Sequence, residues 1–183
     1  VNAYEKIGVQ CIQLEDQVIP KRCGHMNNKE IVDLDEATAK IRAAIQSRDS
    51  NNFLIAARTD SRATHDLDEA LRRGDAFLNA GADILFIEAP QSIDEMQIIK
   101  NEFPDANLIA NIVEGGKTPE LDFEEVAQIG FKIVLRPVSA LLAISSTLQD
   151  CYSTLLRSNS NQEKPTKISF DEYNKLIGLD NFY

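Results

Sequence analysis

Apolar residues in this 183-residue chain gather in short, nearly continuous runs, each followed by a stretch of helical period. The runs are "VQCIQLE" (9–15), "NFLIAAR" (52–58), "DILFIEA" (83–89), "NLIAN" (107–111) and "KIVLRP" (132–137). Short runs without alternation predict parallel strands covered on both faces. Between them, an N-cap acceptor with Glu three residues on predicts helix starts at Asp33, Asp66, Ser92 and Asp122. Leu67, Ala70, Leu71, Gly74 and Leu78 form one apolar stripe of the second of these helices. Gly81 and Gly130 stand where a left-handed residue closes a helix. A longer helix is expected over about 138–156, then a polar linker, "RSNSNQEKPTK", and a last short helix capped by Ser169 and Glu172. The opening "VNAYEKIG" reads as the second half of a helix stopped at Gly8. It has no N-cap and no initiator Met, so the chain is expected to begin inside a longer protein.

Repeated βα units imply a parallel sheet with right-handed crossovers. Five of them fit an open doubly wound sheet, and they fit five-eighths of a (β/α)8 barrel equally well. Composition narrows the function. Hydrophobic residues make up 43% and charged residues 26%, ordinary for one globular core. No apolar run reaches a membrane span, and no export signal opens the chain. A net charge of −10 argues against nucleic acid as a partner but leaves room for a small anion in a locally cationic pocket. Three widely spaced cysteines suggest reduced thiols in a cytosol-like compartment. Cys11 and Cys151 are expected to be buried small hydrophobes.

In both architectures the C-terminal strand ends are where catalytic groups gather. Here they carry Glu15, Asp16 and Gln17, then Arg58 and Asp60, then Glu88, then Asn111 with Glu114 beyond it, and finally Arg136. One polar strand end is explained by the loop that follows. Five of five point to a site. Arg58 reads as a carboxylate clamp, the alternative being a structural Arg58–Glu88 ion pair. Glu15 and Asp16 read as ligands or supports of a hard cation such as Mg2+, or as mere balance for Lys21 and Arg22. Cys23, flanked by Lys21, Arg22 and His25, is expected to have a lowered pKa and to exchange protons near neutrality; the alternative is an incidental loop cysteine. Zinc is disfavoured because His65 is the other histidine and Cys151 is isolated. "VEGGKTPELD" is a Gly-rich loop without nucleotide-binding spacing, either simply mobile or able to close on a substrate.

"IQLEDQVIPKRCGHMNNKEIV", "FLIAARTDSRA", "GADILFIEAP", "LIANIVEGGKTP" and "IVLRPVSALLA" resemble, in order and spacing, successive blocks of the isocitrate lyase and phosphoenolpyruvate mutase superfamily. The resemblance implies an α/β fold, a (β/α)8 TIM barrel of which this chain is about strands 4–8 plus C-terminal helices. Residues 1–156 would then be barrel, and 157–183 a linker and helix exchanged between subunits of a homotetramer. The superfamily's Asp-x-Asp motif, with its principal Mg2+ ligand, would belong to the three strands not seen here. By resemblance Glu15 supports Mg2+ (or Mn2+), and Cys23 is the acid/base with Lys21 and His25 beside it. Arg58 grips the substrate, while Gly24, His25, Glu88 and Asn111 line its pocket. Glu114, Gly115 and Pro119 belong to the matching loop. Arg136 stands where an apolar or aromatic residue is expected. The implied activity is Mg2+-dependent carbon–carbon cleavage of a 2-hydroxy or 2-oxo di- or tricarboxylate, such as an alkylmalate, methylisocitrate or oxaloacetate, in the cytoplasm or an organelle matrix. The cysteine motif favours a lyase. A carboxyphosphonoenolpyruvate- or phosphoenolpyruvate-mutase activity and a non-catalytic barrel fragment are the competing readings.

Overall fold

Five parallel strands pair in sequence order, β1 (Cys11–Glu15), β2 (Leu54–Thr59), β3 (Ile84–Ile87), β4 (Asn107–Asn111) and β5 (Ile133–Leu135). All five fall on the expected runs. The helices are α1 (Asn2–Lys6), α2 (Leu34–Ser47), α3 (Ser61–Thr64), α4 (Leu67–Asn79), α5 (Ile93–Glu102), α6 (Phe123–Ile129), α7 (Ser139–Arg157) and α8 (Phe170–Leu176). The computed structural model describes residues 1–157 and 168–182, so most of the expected linker, 158–167, lies outside the described residues. The chain divides into two compact units, Val1–Pro137 and Val138–Tyr183. The first unit holds the whole sheet.

That sheet is a parallel five-strand half-barrel, and its period of two sorts the side chains. One face carries Ile55, Ala57, Leu85, Ile87, Leu108 and Ala110, packed against Ile41 of α2, Phe77 of α4, Met96 of α5 and Val126 of α6. The other carries a smaller apolar layer of Ala56, Ile84, Phe86 and Ile109, flanked by Leu54, Ile133 and Leu135. Two residues further along the same face come Arg58, Glu88 and Asn111. The polar strand ends therefore cap an apolar layer on the face opposite α2, α4, α5 and α6.

Local expectations hold unevenly. Asp122 with Glu125, and Ser169 with Glu172, form complete reciprocal capping boxes. Asp66 and Ser92 accept from the expected Glu amides, but Glu69 and Glu95 give their carboxylates to arginines. Asp33 makes no side-chain cap, a correction; Glu36 turns to Lys40 on the next turn instead. The buried side of α4 includes Phe77 and Arg73, which the expected stripe omits. Gly81 and Gly130 do adopt positive φ, +102° and +110°. Cys11 is exposed, contrary to expectation, because it lies on edge strand β1, on the face opposite α2 and α4. Cys151 is half-buried. Among the described residues no helix is long and apolar enough to cross a membrane.

Candidate active site

Register places Glu15 beside Arg58 across β1 and β2. The Arg58 guanidinium is almost wholly buried and stacks over Phe86, 5.0 Å from the ring centre. Its firm partner is Asp60, to which Nε and Nη2 donate at 2.8 and 3.0 Å. Glu15 lies 3.3 Å from Nε, and Glu88 lies 3.5 Å from Nη1. The alternative of a dedicated Arg58–Glu88 pair is thus too narrow, since three carboxylates surround one guanidinium. Burial alone would lower the Arg58 pKa, but Asp60, Glu88 and Glu15 together outweigh it and hold the group charged. Burial likewise pushes the Asp60 carboxyl up, and the bonds from Arg58 and Lys29 bring it below the usual carboxylate range.

The thiol loop roofs this cluster. Gln17 anchors its start by bonding the Arg22 backbone both ways, at 2.9 and 3.0 Å. The Val18 amide and Glu30 carbonyl tie its two sides together. Gly24 lies so close over Arg58 and Glu88 that a β-carbon there would collide with both side chains. His25 then reaches in. Its Nδ1 accepts from the Lys117 amide at 3.0 Å, which puts the ring proton on Nε2, 3.1 Å from Glu88. Asn111 Nδ2 donates to the same Glu88 at 3.1 Å. His25 therefore joins the thiol loop to the Gly-rich loop, and Gly116 fits against the imidazole. Lys117 Nζ adds a bond to Asn27. Among the described residues Asn111 Oδ1 and Thr118 Oγ1 are buried without hydrogen-bond partners, which leaves Asn111 Oδ1 able to receive a hydroxyl.

The structure brings Glu15, Lys21, Gly24, His25, Arg58, Glu88 and Asn111 into one contact network. Cys23 sits on the exposed side of its loop. Lys21 Nζ is 2.8 Å from Glu15, and His25 is engaged with Glu88 and Lys117, so neither polar group is spent on the thiol. Asp16 departs from the metal-ligand expectation. It turns away beneath the rim and accepts from Thr59, the Asp60 amide and Arg73 at 2.7–2.9 Å, while burial pushes its carboxyl up against those bonds. Arg136 also stands apart, donating to the Leu121 carbonyl and lying over Phe123.

Lys29 and Arg73 were not legible as site residues. Both lie in polar sequence, and only their buried partners Asp60 and Asp16 reveal them. Among the described residues no three His, Cys, Asp or Glu side chains converge as a metal site. Glu15 offers one carboxylate, already facing Lys21 and Arg58. The described residues do not by themselves fit a complete Mg2+ site.

The site is thus a caged guanidinium at the strand ends of a parallel βα half-barrel, under a thiol-bearing loop. The chain belongs to the phosphoenolpyruvate mutase/isocitrate lyase superfamily: the family model described as phosphoenolpyruvate phosphomutase matches residues 1–156. It is 44% identical to 2,3-dimethylmalate lyase of Eubacterium barkeri over 181 residues, 98% of this chain and 62% of that one. It is 43% identical to a probable 2-methylisocitrate lyase of Corynebacterium glutamicum over 141 residues, 77% of this chain and 46% of that one. A solved 2,3-dimethylmalate lyase superposes with a TM-score of 0.89 at 32% identity, covering 98% of this chain and 60% of that one. The chain thus spans roughly half to three-fifths of the length of these relatives.

Proposed function

We propose that this protein is a carbon–carbon lyase acting on a 2-hydroxy or 2-oxo dicarboxylate, with a 2,3-dialkylmalate as the favoured substrate. The observation that carries the reading is Arg58, buried at the strand ends and oriented by Asp60, with Glu88, Asn111 and His25 beside it. A guanidinium fixed in this way can grip a substrate carboxylate and carbonyl oxygen. Asn111 Oδ1 receives the substrate hydroxyl. As that hydroxyl loses its proton to a base, the C2–C3 bond breaks. Its electron pair goes to C3 and a carbonyl forms at C2. Cys23 then gives its proton to the carbanion, a role that suits a thiol on a loop over the site. Lys21 and His25 hold that loop to Glu15 and Glu88.

Mg2+, with Mn2+ as a substitute, is proposed as cofactor, with Glu15 as this chain's contribution and the other ligands from outside the described residues. A homo-oligomer built through the C-terminal helices is proposed as well. Support comes from α7, which has no buried residue and exposes Leu141, Ile144, Leu148 and Leu155.

The test is cleavage of alkylmalates, methylisocitrate and oxaloacetate with Mg2+ and with chelator. Turnover of at least one is expected with Mg2+ alone, slowed about 100-fold or more by Cys23→Ser. No turnover of any, or an unaffected Cys23→Ser, overturns the reading. The phosphomutase name of the matching family model favours one other activity, P–C bond rearrangement of phosphonopyruvate, which 31P NMR in the same assay would detect.

A further inference from the structure

Lys29 is a buried ammonium with only 1% of its side chain exposed, in a loop otherwise rich in exposed polar residues. Burying that charge is costly unless it is paired and hydrogen-bonded. Nζ is 3.0 Å from Asp60 Oδ1 and also donates to the Gly24 carbonyl. Asp60 needs no second cation for orientation, because Arg58 already meets it through two bonds. What Lys29 adds is the backbone contact. Gly24 follows Cys23 directly, and a β-carbon there would meet Arg58 and Glu88. The loop's other ties lie to either side, Gln17 on Arg22 and Lys117 on His25.

We infer that Lys29 is a positioning residue that latches the thiol loop onto the Arg58–Asp60 clamp, holding Cys23 in register with whatever Arg58 grips. The roles of clamp and thiol rest on the function proposed above; the latch itself does not need turnover to be observed. Without Lys29, Asp60 still orients Arg58, so the grip on substrate persists while the thiol drifts.

The experiment compares wild type with Lys29→Met, Lys29→Gln and Lys29→Arg by amide hydrogen exchange. The Met26 amide, bonded to the Cys23 carbonyl, reports the loop. The Ile55 amide, bonded to Asp83 in the core, reports the rest of the unit. Loss of a buried charge-assisted bond is expected to speed Met26 exchange about tenfold or more, with Ile55 changed much less. Lys29→Arg, which keeps the charge and donors, should recover part of the protection. If Lys29→Met fails to fold, Lys29→Gln, which keeps one donor, carries the comparison. In the cleavage assay kcat should fall about tenfold while KM moves less than about threefold. Met26 exchange that rises no more than Ile55 exchange, or a rise in KM with kcat unchanged, would overturn the latch. A wild type that cleaves nothing overturns the proposed function instead, and exchange alone then decides the latch.

Discussion

Asp60→Asn removes the carboxylate around which the rim is organised, and its cost can be worked from the contacts. Asp60 is fully buried and accepts from Arg58 Nε, Arg58 Nη2 and Lys29 Nζ at 2.8–3.0 Å. Asparagine preserves the shape but offers one acceptor and turns an NH2 towards donors. Breaking a buried ion pair by removing one partner costs about 3–5 kcal/mol. Arg58 would keep Glu15 at 3.3 Å and Glu88 at 3.5 Å, and Lys29 would keep the Gly24 carbonyl, so neither cation is left without a partner. The low end, about 3 kcal/mol, is therefore expected. For a chain of this size that equals a Tm decrease of roughly 6–12 °C. Urea unfolding at pH 7 measures it, with an unchanged m-value as the check that only stability moved. A loss below about 1 kcal/mol, the scale of exposed ion pairs, would refute the claim that Asp60 organises a desolvated cluster.

The remaining predictions follow from the same contacts. The Asp60 carboxyl lies below its unfolded value of about 3.9, so its stabilisation is present above that pH and lost as pH falls through the folded value. The gap in urea midpoint between wild type and Asp60→Asn should therefore narrow below about pH 4, and a constant gap down to pH 3 would contradict this. Asp16, pushed up by burial, works in the opposite sense in both proteins and cancels in the difference. Gly24→Ala puts a β-carbon 2.5 Å from Arg58 Nη2, an overpacking of about 1–3 kcal/mol at the site itself. Cleavage should fall about tenfold or more, and near-normal kinetics would show the loop is freer than described. Gly116→Ala sets a β-carbon 2.6 Å from His25 Nδ1 and should break the Lys117–His25 bond, seen as faster exchange of the Lys117 amide; unchanged exchange would count against the His25 bridge.

The strands were legible because both faces of this parallel sheet carry apolar layers, so five apolar runs stand out without help from tertiary structure. The rim was legible for the same reason: Arg58, Glu88 and Asn111 each follow apolar residues on a strand whose period fixes the face. Partner choice was not. Arg58 settles on Asp60 rather than Glu88 because both lie on the same strand end, two residues apart, and the fork fits there bidentately. Lys29 looked like any loop lysine, since a buried cation is marked only by the carboxylate it meets. Asp16 and Glu15 are neighbours in sequence, yet strand alternation sends one under the rim to Arg73 and the other to the site. Cys11 reads as core because its run is apolar, and a single strand cannot announce that it lies at a sheet edge. Glu36 satisfies the capping pattern with Asp33, but a lysine one turn on competes for it.

The most direct measurement is to incubate the natively expressed protein with 2,3-dimethylmalate and Mg2+ and follow the mixture by 1H NMR. Cleavage between C2 and C3 should yield pyruvate and propionate in equal amounts, at a rate that Cys23→Ser lowers about 100-fold or more. Dimethylmalate that persists unchanged, or equal rates with and without the thiol, would contradict the account.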